Sequence, residues 1–308
     1  IQIEHETRYK YQSDVELAHH LAYLRPQASA WQQVVSSELL ITPKPDNLTE
    51  NKDTFGNLRT FFALTTPHKE LLVRAVSTVA LADRYAGFDP AQTSSWEEVR
   101  DALSYMLDSR YQPASEFSYT SMYVPRLAEL RDYAQPSFPT GRSIGLGCID
   151  LAQRIHRDFK YASTATEINT PILEVFKKRA GVCQDFSHIM IGCLRALGLS
   201  AQYVSGYLLT KPPKGGVRLR GADASHAWVS AYCPGAPGGW LEIDPTNNVI
   251  AAQGHVRLAM GRDIGYLFHQ RLLLVIPVVV ASFFEDLPFA RCKTFNYGFS
   301  DRLSFFIS

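Results

Sequence analysis

The chain has 308 residues, 46% of them hydrophobic, enough for one large domain or two with buried cores. Its 31 basic and 30 acidic side chains leave a net charge of +1 without long runs of one sign, which argues against a nucleic-acid or membrane-surface partner. Five cysteines without paired spacing argue against a disulfide framework, and with no secretory signal at the start the expected setting is reducing and cytoplasmic.

Residues 1–82 read as β-structure. Ile3 to Tyr11 partly alternates, Val34-Val35 to Ile41 runs into Pro43-Lys-Pro-Asp46, and Leu71 to Val79 has the make-up of a strand. Asp53-Thr-Phe-Gly-Asn57 is a turn signal between strands, and His19-His20 reads as a surface or strand pair. Residues 83–139 form a helical connecting segment. In it Ser95-Trp-Glu-Glu98 is a capping box opening a helix with Val99, Leu103, Met106 and Leu107 on one side, and Ser121 to Ala134 is helical with an interruption near Pro125.

The core unit spans residues 140–263. A helix from Cys148 to Tyr161 leads into it, and Thr170-Pro171 caps a short helix ending near Ala180, with Gly181 as its left-handed stop. Phe186, Ile189, Met190, Cys193, Leu194 and Leu197 then form an apolar stripe of helical period that closes at Gly198. Cys183 lies before the stripe, in the first turn of a buried helix, whereas Cys193 lies inside it and reads as core. At a helix N-terminus the unsatisfied N–H groups and the positive end of the helix dipole favour a thiolate, and the same N–H groups suit an oxyanion.

Residues 224–232 alternate as a strand, with His226, Trp228, Ser230 and Tyr232 on one side. Turn residues fill Cys233 to Gly239, and Trp240 to Asp244 alternates again before Pro245 ends the strand. The result is a hairpin. If Ser230 pairs with Trp240, His226 faces Asp244 directly; if Tyr232 pairs with Trp240 they are diagonal neighbours, and either register lets the carboxylate orient the imidazole. Trp228 and Trp240 either line an acyl-binding channel or pack the hairpin.

Cys183, His226 and Asp244 thus supply a nucleophile, an acid–base group and its orienter. The stretches Gly181-Val-Cys183-Gln-Asp-Phe-Ser-His188, Ser225-His226-Ala-Trp228 and Trp240-Leu-Glu-Ile-Asp244-Pro-Thr-Asn247 resemble the core signature of the transglutaminase-like superfamily of papain-like thiol enzymes. The N-terminal region, with its Asp-x-Phe-Gly-Asn turn, resembles the β-rich domain that accompanies the bacterial core. The resemblance implies an α+β protein in which a β-rich N-terminal domain precedes a papain-like core whose cysteine-bearing helix packs on an antiparallel sheet. It also implies a protein or peptide substrate and an acyl-thioester intermediate, with Tyr161, Gln184 and Trp228 as candidates for the oxyanion site or cleft.

No cofactor is expected. Cys183 and His188 are five residues apart and cannot share a helix face, and neither Cys-x-x-Cys nor His-Glu-x-x-His occurs, so no metal site is expected; Asp185 and His188 read as a polar helix flank. Hydrolysis as a cysteine protease or amidase is the favoured reading. A protein-glutamine gamma-glutamyl transferase and a non-catalytic binding module on the same fold are the rivals. The loop Lys211-Pro-Pro-Lys-Gly-Gly216 is a candidate for shaping the cleft. Gly261-Arg-Asp263 matches the family's turn, but Ile264 to Ser308, with Leu272 to Phe284 almost wholly apolar, departs from it and reads as a foreign tail or as one or two added strands.

Overall fold

The computed structural model describes residues 1–104, 111–209, 225–268, 274–276 and 298–306. The chain begins with β1 (Gln2–Val15), β2 (Leu17–Ala22), β3 (Gln32–Thr42), β4 (Asn47–Lys52), β5 (Leu58–Leu64) and β6 (His68–Leu81). Next come α1 (Trp96–Leu103), α2 (Ala128–Ala134), α3 (Ile144–Asp158), the short β7 (Lys160–Tyr161), α4 (Ile172–Lys178), β8 (Ala180–Gly181) and α5 (Cys183–Ala196). After them β9 (Ala201–Leu208), β10 (His226–Tyr232), β11 (Trp240–Asp244), β12 (Val249–Ile250) and β13 (His255–Gly261) build an antiparallel sheet in the order β12-β11-β10-β9-β13. The last described elements are α6 (Ile264–Phe268), β14 (Leu274–Ile276) and β15 (Gly298–Phe306).

The N-terminal strands form two sheets, β15-β1-β6-β3 and β14-β2-β5-β4. Alternating burial along β5 and β6 places Phe62, Leu64, Leu71, Val73 and Ala75 in a core with Tyr11, Val15 and Leu24. In the tail, the backbones of β14 and β15 extend these sheets alongside β2 and β1. Most of the apolar run Leu272 to Phe284 lies outside the described residues.

Residues 83–139 do not stand apart as a connector. Trp96, Val99, Leu103, Leu130, Ala134 and Phe138 share one core with α3, α5 and the inner face of the β9–β13 sheet. The Ser95–Glu98 capping box is formed, with Ser95 N donating to Glu98 at 2.9 Å. Helix α2 begins only at Ala128, beyond Pro125, and α3 starts at Ile144, earlier than its apolar pattern suggested.

The two halves meet along β13, the edge of the core sheet. Gln32 Nε2 donates to Arg257 O at 2.8 Å, and Arg257 N donates to Gln32 Oε1 at 2.9 Å. Asn57 repeats the arrangement, Nδ2 donating to Met260 O at 2.7 Å and Met260 N to Asn57 Oδ1 at 2.8 Å. In a regular strand residues three apart expose their backbone groups to opposite sides. Here the pairing of β13 with β9 slips by one residue between Arg257 and Ala259, so Arg257 and Met260 both face outward. Two side-chain amides thereby satisfy the edge as an added strand would.

This is what the Asp53–Asn57 turn builds. Asp53 Oδ1 accepts from Phe55 N and Asn57 N at 2.9 Å each, and its Oδ2 accepts from Asn57 Nδ2 at 2.8 Å, which fixes the amide for docking. Asn57 itself is fully buried. Asn57→Ala leaves the Met260 amide and carbonyl without partners and is expected to cost about 2–3 kcal/mol of stability, read from urea unfolding.

Candidate active site

The cysteine-bearing helix is positioned by its own N-terminus. Helix α4 ends at Arg179, which takes the left-handed conformation (φ 53°), so Gly181 is not the stop that the sequence suggested. Gly181 is required for space instead: a Cβ there would sit 2.4 Å from Asp185 Oδ2. That oxygen accepts from Val182 N at 2.9 Å and from Thr166 Oγ1 at 2.6 Å, capping the first turn of α5. Burial raises the Asp185 pKa despite these two bonds.

Below the turn, Phe186, Ile189, Met190, Cys193 and Leu194 are buried against β9 and β10, and Gly198 (φ 83°) ends the helix as expected. Asp185 and His188 are buried, not a solvated flank. His188 Nε2 accepts from Ile264 N at 3.2 Å, and burial lowers its pKa to about 4, with Asp263 opposing and Arg195 reinforcing the shift. Asp263 accepts from Tyr123 N at 2.9 Å, and buried Arg195 donates to Phe117 O, Ser121 Oγ, Ala201 O and Arg262 O. The Gly261–Asp263 turn is thus locked beneath α5.

The hairpin takes the second of the two registers. Tyr232 pairs with Trp240 and Ser230 with Glu242, which sets Asp244 opposite Trp228 and diagonal to His226. His226 Nε2 is 2.7 Å from Asp244 Oδ2, both side chains being buried. Cys183 and His226 border the same cavity, and with Nε2 engaged by Asp244 the ring nitrogen left for the sulfur is Nδ1.

The electrostatics favour a charged imidazole. Burial opposes the charge on His226, but the bonded Asp244 carboxylate and the Cys183 side chain outweigh it and raise its pKa to about 10. Burial likewise opposes ionisation of Asp244, yet bonds from His226, His255 and Asn247 and the charge on His226 hold its pKa well below the usual carboxylate range. Asp244 Oδ1 accepts from Thr246 N at 2.9 Å and Asn247 N at 3.1 Å, and Oδ2 from Asn247 Nδ2 at 2.7 Å.

His255 is the residue that the sequence did not single out. Its Nε2 lies 3.1 Å from Asp244 Oδ2, although it comes from β13 at the far edge of the sheet. Of the two strands between them, β9 is bare at Gly206, where a Cβ would collide with the Trp228 ring and Val256 O. Spacing alone does not reveal such a contact. His226, Asp244 and His255 also bring their ligand atoms within 4.8 Å of one another, a cluster able to hold a cation. The 2.7 and 3.1 Å separations are those of N–H···O bonds to the carboxylate.

The other candidates divide. Gln184 borders the same cavity as Cys183 and His226, with its Nε2 donating to Ile168 O at 3.3 Å. Trp228 is fully buried, packs beside His255 and donates to Glu242 Oε2 at 2.8 Å, so it packs the sheet and offers no surface to a cleft. Tyr161 is 50% exposed on β7, whose backbone pairs with β8 beside the cysteine helix, and it is not among the residues bordering the cavity. The loop 211–216 lies outside the described residues. Among the described residues no helix is long and apolar enough to cross a membrane.

Residues 1–80 match the family model of the bacterial transglutaminase-like N-terminal region, and residues 147–245 that of the transglutaminase-like superfamily. An uncharacterized protein of Mycobacterium tuberculosis is 39% identical over 268 residues, covering 85% of this chain and 83% of that protein. A protein-glutamine gamma-glutamyltransferase of Pseudomonas aeruginosa is 37% identical over 76 residues, 24% of this chain and 11% of that protein. The crystal structure of a Cytophaga hutchinsonii protein, itself proposed to be a cysteine protease, aligns over 97% of this chain and 96% of its own. The TM-score is 0.64 at 20% identity, so the two share a fold.

Proposed function

Since the chain belongs to the transglutaminase-like superfamily, we propose that it is a thiol-dependent amide hydrolase acting through Cys183, His226 and Asp244. The observation that carries this reading is the His226–Asp244 pair, bonded at 2.7 Å, on the same cavity as Cys183, whose sulfur stands at a helix N-terminus. The thiolate adds to the amide carbonyl, and the first-turn N–H groups of α5 suit the oxyanion that develops. As the C–N bond breaks, the His226 imidazolium gives its proton to the departing amine, leaving an acyl thioester. Neutral His226 then takes a proton from water, whose oxygen attacks the thioester, and the acid departs with the thiolate–imidazolium pair restored.

With a lysine amine in place of water, the same intermediate gives cross-linking, the activity carried in the name of the Pseudomonas relative. Casein incubated with wild-type protein or Cys183→Ala, with and without a dansylated alkylamine, separates the two. New N-termini or converted glutamines without dansyl incorporation are expected in the wild type alone. Incorporation of dansylamine into casein would reassign the protein as a transferase.

A further inference from the structure

The cavity beside Cys183 is not built by the core alone. It has a volume of about 180 Å³ and is bordered on one side by Cys183, Gln184 and His226, and on another by His5, Tyr23 and Leu24 of the N-terminal domain. The strand residues Tyr203, Tyr207 and Leu258, together with Ile264, also border it. The volume suits one side-chain-sized group; pockets for whole drug-sized ligands run to roughly 300–1,000 Å³.

Away from Cys183 and His226 its lining is uncharged. Among the described residues bordering it there is no Lys, Arg, Asp or Glu. The polar groups of the N-terminal domain there are committed to the protein: His5 Nδ1 lies 2.8 Å from Tyr207 Oη and its Nε2 3.3 Å from Thr7 Oγ1, while Tyr23 Oη donates to Asp53 Oδ2 at 3.3 Å. Leu24, Leu258 and Ile264 are aliphatic and nearly buried. A charged group placed against the Tyr23–Leu24 wall loses its hydration without a countercharge on that wall, whereas an aromatic or aliphatic group gains from burial.

Building on the thiol chemistry proposed above, we infer that this cavity is the acyl-side subsite of the enzyme. It selects an uncharged, hydrophobic side chain, aromatic by size, and the N-terminal domain supplies one wall through Tyr23 and Leu24. The docking of Asn57 and Gln32 on β13 holds that wall against the core. The domain is then a specificity element.

The probes are three alkylating reagents of one warhead: iodoacetamide, N-benzyl iodoacetamide and iodoacetate. Each rate at Cys183, located by mass spectrometry, is divided by its rate with free glutathione. In every case the sulfur–carbon bond forms as iodide leaves. The benzyl reagent is expected to exceed iodoacetamide at least ~10-fold on this scale. Leu24→Arg is expected to bring that ratio within about twofold of unity, and Leu24→Ala, a milder change should the arginine variant not fold, to cut it about threefold. Val35→Ala, exposed elsewhere on the same domain, is expected to leave the ratio as it is.

A wild-type ratio near one, or a preference for iodoacetate, overturns the subsite. A large ratio that survives both Leu24 changes overturns the role of the N-terminal wall. The absolute iodoacetamide rate reports separately on the thiol chemistry: a slow thiol with the benzyl preference intact sinks the catalytic reading and leaves the subsite standing.

Discussion

Cys183→Ala is expected to lower amide turnover by at least ~10⁴-fold while changing stability by less than about 1 kcal/mol. The loss is large because, among the described residues bordering the cavity, Cys183 is the one thiol: His226 is engaged by Asp244, and the neighbouring hydroxyls Ser205 and Ser225 are far weaker nucleophiles. Stability is spared because Cys183 is only partly buried at the edge of the main core. Cys193→Ala is the contrasting change. That side chain is fully buried among α5 and its neighbours, so its truncation is expected to cost about 1–3 kcal/mol with turnover retained. A Cys183→Ala protein that still turns over amides would remove the nucleophile from the proposal.

The second large effect is expected at Asp244, where the outcome depends on the replacement. Asp244→Ala leaves His226, His255, the Asn247 amide and two backbone N–H groups buried without their shared acceptor, and is expected to cost about 3–5 kcal/mol, read from thermal or urea unfolding. Asp244→Asn keeps the volume but removes the charge. It is expected to lose ~10³-fold or more in turnover with a smaller stability change, because a neutral amide neither stabilises the imidazolium nor fixes its tautomer. His226 charge should fall with it.

The signs of the two titrations set the pH range of the site. His226 has its pKa raised from 6.5 to about 10, so its contribution is complete below 6.5 and is lost as pH rises through about 10. Asp244 has its pKa lowered from 3.8, so its contribution is present above that value and is lost as the pH falls toward its depressed one. Between about pH 5 and 9 the charged pair is intact. Unfolding free energy is therefore expected to fall at both extremes, and Asp244→Asn to flatten the alkaline side.

Much of this was legible in the chain because the site rests on local patterns. The stripe from Phe186 to Leu197 fixes which face of the helix is buried and leaves Cys183 at its start, and strand alternation places His226 and Asp244 on one side whichever register forms. The register itself was left open. It depends on how Gly238 and Gly239, both at positive φ, turn the chain between Cys233 and Trp240. His255 was invisible because its contact with Asp244 spans strands that are not neighbours and depends on the bare backbone at Gly206. The Asp53–Asn57 turn was recognised as a turn, but its purpose depends on a bulge in β13 some two hundred residues later. Gly181 was assigned to the wrong cause for the reverse reason, since a glycine after a helix fits both a left-handed stop and a close approach.

The most direct test of the proposed thiol chemistry is the pH dependence of iodoacetamide labelling, with the label located by mass spectrometry, in wild-type protein and in His226→Ala. Rapid labelling of Cys183 at pH 6, many-fold above a free thiol that titrates near ~8.5, is expected in the wild type and is expected to vanish in the variant. Labelling of Cys183 that rises only above about pH 8, at the rate of an ordinary thiol and unchanged by His226→Ala, would contradict the thiolate–imidazolium pair and favour a binding module on the same fold.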